Sequence, residues 1–445
     1  MIETFKNAFK IPELKSKLFF TFIIIILYRF GSSIPVPFIN SQAISELFAS
    51  QGDTIFGYLN ILSGNAFSQA TLFALGIQPY ITSSIIMQLL TVAIPALERL
   101  QKSGDDGRKK ITQITRYVTV ALGLITGYGY YMYCRGYGLL SNNTLFAGIV
   151  IVACYSAGSA LIMWLGEKIN ENGIGNGISM ILFSNIVSML PTTVMSSVNS
   201  ITSKATSSAN PAGDVILEVL KWVIVAAVAV VLVAFVVFMS NAERRLQVQY
   251  SKRVVGRKMY GGQSTFLPIK INMSGVMPII FASSIVSIPI TIISFINSNP
   301  EPGTTLHLVN RIFSPTGVLY ITLTFILIIA FSYFYISISF NPLEVANNLK
   351  KNGGFIPGIR PGKPTTDYIT KILNKIVLIG GLFLGAVAIF PMTINAIASV
   401  VPAMQSLRGM AFGGSSLLII VGVALETTRE IEAQMSMRHY KGFLE

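Results

Sequence analysis

The sequence predicts an all-α polytopic membrane protein of ten transmembrane helices. Composition, the spacing of apolar runs and the sidedness of basic residues carry that reading. Of 445 residues, 52% are hydrophobic and 12% charged, with a mean hydropathy of +0.63, whereas a soluble domain carries about 25% charged residues. A helix needs roughly 20 apolar residues to cross a bilayer core. Such runs fall at 18–37, 76–96, 117–135, 145–165, 174–193, 217–240, 271–296, 317–340, 376–397 and 411–428.

The first run follows a Lys-bearing head, as a secretory signal would. "FGSSIPVPFIN" offers no small-residue cleavage site and nine more runs follow, so it reads as a retained first span. Short cytoplasmic loops carry excess Lys and Arg. Of the 33 basic residues, 27 fall on one side of the predicted spans, including six in 97–116, seven in 241–270 and six in 341–375. Arg135, Lys204, Lys221, Arg311 and Arg408 fall on the other side, and Arg29 stands alone within the first span. Both termini are therefore expected in the cytoplasm.

Ten spans divide into residues 1–195 and 217–445, five spans each, joined by an outer linker at 196–216. An odd number of spans per half inverts the second half against the first and places a seam at mid-membrane. The loops 241–270 and 341–375 run to about 30 residues, where connections usually take 2–6, and are dense in Gly, Pro and aromatic residues. Loops of that kind tend to carry function. Their charge fits a topology signal, anionic lipid or a docking surface for a large partner.

The second span, "ALGIQPYITSSIIMQLL" at 74–90, is wet along one side, with Gly76, Gln78, Pro79, Thr82, Ser83, Ser84 and Gln88. An unpaired backbone group costs several kcal/mol in hydrocarbon, so this broken helix must face protein or water. The preceding stretch, 57–75, is too short and too polar to span, and reads as a re-entrant half-helix.

Intramembrane charge is nearly absent, which removes the residues a proton relay uses. His307 and His439 lie outside the spans, and Glu167, Glu344 and Glu426 sit at span ends, where carboxylates snorkel to the surface. Cys134 and Cys154 lack metal-ligand spacing. "GIRPGKPT" at 358–365 has three residues between its glycines where a phosphate-binding loop has four, and Pro364 in place of its Ser or Thr. No cofactor is expected and no enzyme site is found. The basic stretch reads instead as a stiff platform presenting Arg360 and Lys363 to a partner.

"IPVPFIN", "LNILSGNAFSQATLFALGIQPYITSSIIMQLL", "MWLGEKINENGIGNGISMILF", "VQYSKRVVGRKMYGGQSTFLPIKINMSGVMPIIFASS", "FNPLEVANNLKKNGGFIPGIRPGKPTTDYI" and "FGGSSLLIIVGVALETTREIEAQMSMRHYKGFL" resemble the bacterial SecY family, channel subunits of the Sec translocase. The likeness runs from about residue 12 to the C-terminus. It implies a passive protein-conducting channel in the bacterial cytoplasmic membrane, with an hourglass pore between two five-helix halves. Unfolded secretory chains would cross its waist and hydrophobic segments leave sideways into lipid.

The resemblance implies a pore ring at Ile81, Ile85, Leu182, Ile186, Ile280 and Ile419, branched apolar side chains that dewet the waist and hold no passing peptide. It assigns 57–75 to a plug, with Asn60, Ser63, Gly64, Asn65 and Phe67. It places a lateral gate along Thr82, Gln88, Asn272, Ser284 and Ile288, where amide and hydroxyl pairs across helices would contribute about 0.6–2 kcal/mol each. Lys252, Arg253, Arg257, Lys258, Arg360 and Lys363 would receive a ribosome, through its anionic RNA, or the SecA motor. Small membrane subunits, SecE and SecG, are the implied companions, along with membrane lipid and the signal sequence of the translocating polypeptide.

Two other classes stand beside the channel. A small-solute transporter also uses broken helices and inverted halves, but needs a polar site at mid-membrane. An intramembrane protease needs a Ser/His, paired-Asp or metal set facing a cavity.

Overall fold

A computed structural model of the chain describes residues 6–50, 60, 63–207, 211–250, 253–255, 258–260, 264–296, 309, 312, 317–400 and 414–441. It is built of helices with two small sheets on its loops. Helix α1 (Pro12–Gly31) starts on a proline, whose missing N–H costs nothing in a first turn, and ends with Arg29 in its last turn. A short helix, α2 (Ser41–Ser50), follows.

Of the predicted half-helix at 57–75, Asn60 and Ser63 are helical and 57–59 and 61–62 lie outside the described residues, but 64–77 run as turns with a β-bridge at Thr71. Gly64, Asn65, Ala70 and Gly76 all have positive φ (65°, 71°, 49° and 57°). A right-handed helix cannot pass through left-handed residues. The turns are held instead by α6 (Leu145–Asn172), where Gly158 lets the chain approach so closely that a Cβ would lie 2.0 Å from the Leu72 carbonyl oxygen.

The predicted second span is broken a second time. Helix α3 (Gln78–Ala93) ends at Ile94, which is extended (φ −108°, ψ 112°) because the residue before a proline is driven out of the helical region. Pro95 then opens α4 (Pro95–Lys102), bent 101° from α3. At 1.5 Å per residue, α3 alone covers roughly 24 Å.

Helices α5 (Asp105–Gly136), α6 and α7 (Gly177–Ser207) pack in sequence, and α7 leads to α8 (Pro211–Asn241). Beyond the sheets come α9 (Met277–Ile296), α10 (Val318–Ser339), α11 (Pro342–Lys351), α12 (Lys363–Val400) and α13 (Gly414–Lys441).

Among the described residues, five stretches are long and apolar enough on their own to cross a bilayer: Leu145–Asn172, Gly177–Met195, Val215–Asn241, Val318–Lys351 and Lys363–Ile397, with the bent α3–α4 pair as a sixth. The other expected spans mix apolar runs with charge or are shorter. Helix α1 carries Glu13, Lys15, Lys17 and Arg29, α13 carries Glu426, Arg429 and Glu430, and α9 contributes the run Met277–Pro289. Helix α8 is the least buried of the five, with 11% of its apolar run covered.

The all-α expectation misses the loops. Strand β1 (Glu243–Tyr250) pairs antiparallel with β4 (Ser264–Lys270), Glu243 opposite Lys270, and with β5 (Gly354–Phe355), Gln249 opposite Phe355. The sheet order is β4-β1-β5, so one sheet joins the loops 241–270 and 341–375. In a second sheet β2 (Arg253–Val255) pairs antiparallel with β3 (Lys258–Tyr260), Val254 opposite Met259.

The two chain halves meet along several lines. Helix α7 packs on α8 and α13, and α9 packs on α3 and α5. One contiguous apolar cluster crosses that boundary, from Ile24 and Tyr28 of α1 through α3, α6 and α7 to α9, α10, α12 and α13.

A buried apolar waist as the candidate functional site

Ile81 and Ile85 are four residues apart on α3, and Leu182 and Ile186 four apart on α7, so each pair shares one helix face. Ile280 comes from α9 and Ile419 from α13. All six are at most 5% exposed and belong to the same apolar cluster. Four helices from both halves thus bring the six predicted ring residues into one buried cluster.

The polar side of α3 is divided between two neighbours. Ser83 is fully buried and donates to the Thr115 carbonyl of α5 at 2.8 Å. Gln78 and Thr82 border a cavity of about 370 Å³, walled by Ser63, Phe67, Leu122, Ile125, Ser287 and Ile288 among others. That cavity lies between the turn segment, α3, α5 and α9, and its wall is mostly apolar.

The predicted plug residues hold one another. Asn60 Nδ2 donates to Asn65 Oδ1 at 2.9 Å, and Asn60 Oδ1 accepts from the Ser68 N–H at 2.9 Å. Ser63 Oγ accepts from the Phe67 N–H at 3.0 Å. Phe67 sits edge-on to Tyr130 of α5, ring centroids 4.7 Å apart, and the Tyr130 hydroxyl donates to the Phe67 carbonyl at 2.8 Å. Polar groups that looked unfit for a membrane are therefore satisfied within their own turns.

The predicted gate residues are only partly brought together. Thr82 and Ile288 face the same cavity, whereas Gln88 donates to Ser84 of its own helix at 3.3 Å. Ser284 is buried, and the Ser284 carbonyl accepts from Ser287 at 2.8 Å. Asn272 Oδ1 is buried with no hydrogen-bond partner. No hydrogen bond joins any two of these five residues, so the expected polar pairs across the seam are not formed.

On the loops, Arg360 and Lys363 are exposed, and Lys363 opens α12. Arg253 and Lys258 lie on β2 and β3, while Lys252 and Arg257 fall outside the described residues. Burial and the Arg429 guanidinium hold the Lys270 ammonium below its usual range, with Glu243 pulling the other way.

Sequence reasoning missed three contacts around the waist. Glu167 does not snorkel: it is 8% exposed and forked by Arg116, Nη2 to Oε2 at 2.8 Å and Nε to Oε1 at 3.1 Å. Glu430 of α13 accepts from the Gly175 N–H ahead of α7 at 2.9 Å. Arg29 Nη2 donates to the Ser184 carbonyl of α7 at 2.7 Å. Only Arg29 gave a signal in sequence, as a charge inside an apolar run.

Long apolar helices, a bent pair and one buried apolar cluster drawn from both halves define a polytopic membrane protein. The sequence profile of the SecY family matches residues 71–428. A protein translocase subunit SecY from Streptomyces scabiei is 42% identical over the full length of both chains. The chain belongs to the SecY family. Among solved structures, "The structure of a protein conducting channel" superposes with a TM-score of 0.60 at 16% identity, covering 95% of this chain and 92% of the other. Sec61 in a canine ribosome–channel complex superposes at 0.55 and 15% identity, covering the same shares.

Proposed function

We propose that the chain is the central protein-conducting channel of a Sec translocase. It catalyses no reaction of its own; a bound motor or the translating ribosome drives unfolded polypeptides through it. The observation that carries this reading is the convergence of Ile81, Ile85, Leu182, Ile186, Ile280 and Ile419 in one buried cluster drawn from both halves. A constriction of branched aliphatic side chains excludes ions by dewetting and offers a sliding chain no partner to bind.

In this reading ten spans form two inverted halves around an hourglass, with both termini in the cytoplasm of a bacterium. Residues 57–75 act as plug, and the cavity beside Thr82 and Ile288 is where the seam opens toward lipid. The joined loops, through Lys252, Arg253, Arg257, Lys258, Arg360 and Lys363, receive the ribosome or SecA. SecE and SecG cover lipid-facing helices such as the sparsely buried α8. Membership of the SecY family and the likeness in fold to a ribosome-bound channel support these assignments.

Depletion of the protein tests the reading. Precursors bearing signal sequences should accumulate uncleaved in the cytoplasm while uptake of small solutes continues. Loss of one solute's uptake with secretion intact would overturn it in favour of a transporter.

A further inference from the structure

Arg29 has no carboxylate partner among the described residues. Its fork points instead at backbone. Nη2 reaches the Ser184 carbonyl at 2.7 Å and, at 3.5 Å, that of Asn185. Both residues lie on α7 between Leu182 and Ile186. On the near side lies Gly64 of the turn segment, in a left-handed conformation (φ +65°). A Cβ there would stand 2.9 Å from Arg29 Nη1, 3.0 Å from Nη2 and 3.0 Å from Asn185 Oδ1. The backbone at Gly64 thus rests in a cradle whose walls are a guanidinium from α1 and an amide from α7.

The same turn of α1 grips the far end of the segment. Tyr28 stacks on Phe73, with ring centroids 5.4 Å apart and planes 8° from parallel. The Phe73 ring lies so close to Gly31 that a Cβ there would meet it at 2.2 Å. Within four residues, α1 therefore holds the segment at Gly64 and at Phe73 and ties it to the helix carrying Leu182 and Ile186. A planar, always-charged fork suits this task, since it holds backbone acceptors with its geometry fixed.

We propose that Arg29 is a positioning residue that latches the 63–76 segment onto α7 and keeps the apolar waist sealed until a translocating chain displaces the segment. The inference rests on the channel reading above. Loss of the latch shifts the balance from sealed to open without touching the ring itself.

The test uses the full chain with its membrane partners in lipid vesicles, comparing wild type with R29Q, R29K and G64A. Resting ion conductance is measured alongside translocation of a precursor. We expect R29Q and G64A to raise resting conductance about tenfold, equivalent to a shift of about 1.4 kcal/mol in a two-state equilibrium, with both variants still folded. R29K, which keeps the charge and loses the fork, should fall between R29Q and wild type. Wild-type conductance in folded R29Q and G64A would overturn the latch while leaving the channel intact. Should R29Q fail to fold, R29K decides: conductance equal to wild type there would equally overturn it. Wild-type vesicles that translocate nothing would overturn the channel reading and the latch with it.

Discussion

Glu167 reads in sequence as a carboxylate at the end of a span, and folding turns it inward onto Arg116. What the sequence lacks is the rotation of α5 against α6, which alone brings residues 51 positions apart into a two-point ion pair. A hydrogen bond to a charged group contributes about 1.5–3 kcal/mol. Glu167→Gln should therefore lower stability by roughly 1–3 kcal/mol, seen as a lower unfolding temperature in detergent; an unchanged temperature would contradict the pairing. Asn272 is the reverse case. Its buried Oδ1 has no partner, and replacing an unsatisfied group with an apolar one is neutral or stabilising. Asn272→Leu is expected to leave the fold at least as stable and to shift the signal hydrophobicity needed for release into lipid. A graded series of reporter signals measures that threshold, and an unmoved threshold would remove Asn272 from the gate.

The turn segment shows why helices were easier to read than what lies between them. Its polar residues were recognised as foreign to a span, and Gly64 and Gly76 marked breaks. Ala70, left-handed at φ 49°, carries no such mark, because that conformation is imposed by packing against α6 and not chosen by the residue. The contact of Gly158 with Leu72 fixes the segment from behind. Gly158→Val should push it away at a cost of about 1–3 kcal/mol, the usual range for overpacking, with the loss read from thermal unfolding. A variant as stable as wild type would show that the segment does not rest there. The sheets were half legible: Leu246 and Val248 are buried in alternation along β1, the two-residue period of a strand. The pairing of Gln249 with Phe355 was not, since nothing local relates two loops more than a hundred residues apart.

Membrane class and basic sidedness follow from composition, because lipid tolerates few charges. The waist does not follow in that way. An isoleucine facing acyl chains and one facing a constriction are the same letter in an apolar run, and only the resemblance to a family separated Ile81 and Ile419 from their neighbours. The fold then places them in one cluster. Arg360 lies beside the sheet that joins the two loops, and Lys363 opens α12. Arg360→Glu should reduce motor-driven export severalfold in a vesicle assay while the unfolding temperature stays unchanged; export at the wild-type rate would withdraw the docking role. The central claim is tested most directly by photo-crosslinking a polypeptide arrested in transit. Probes placed in turn at Ile81, Ile186, Ile280 and Ile419 should each capture the arrested chain, and a probe at Val231, exposed on α8, should capture lipid or a companion subunit. Ring probes that capture only lipid, with the arrested chain found elsewhere, would contradict the account.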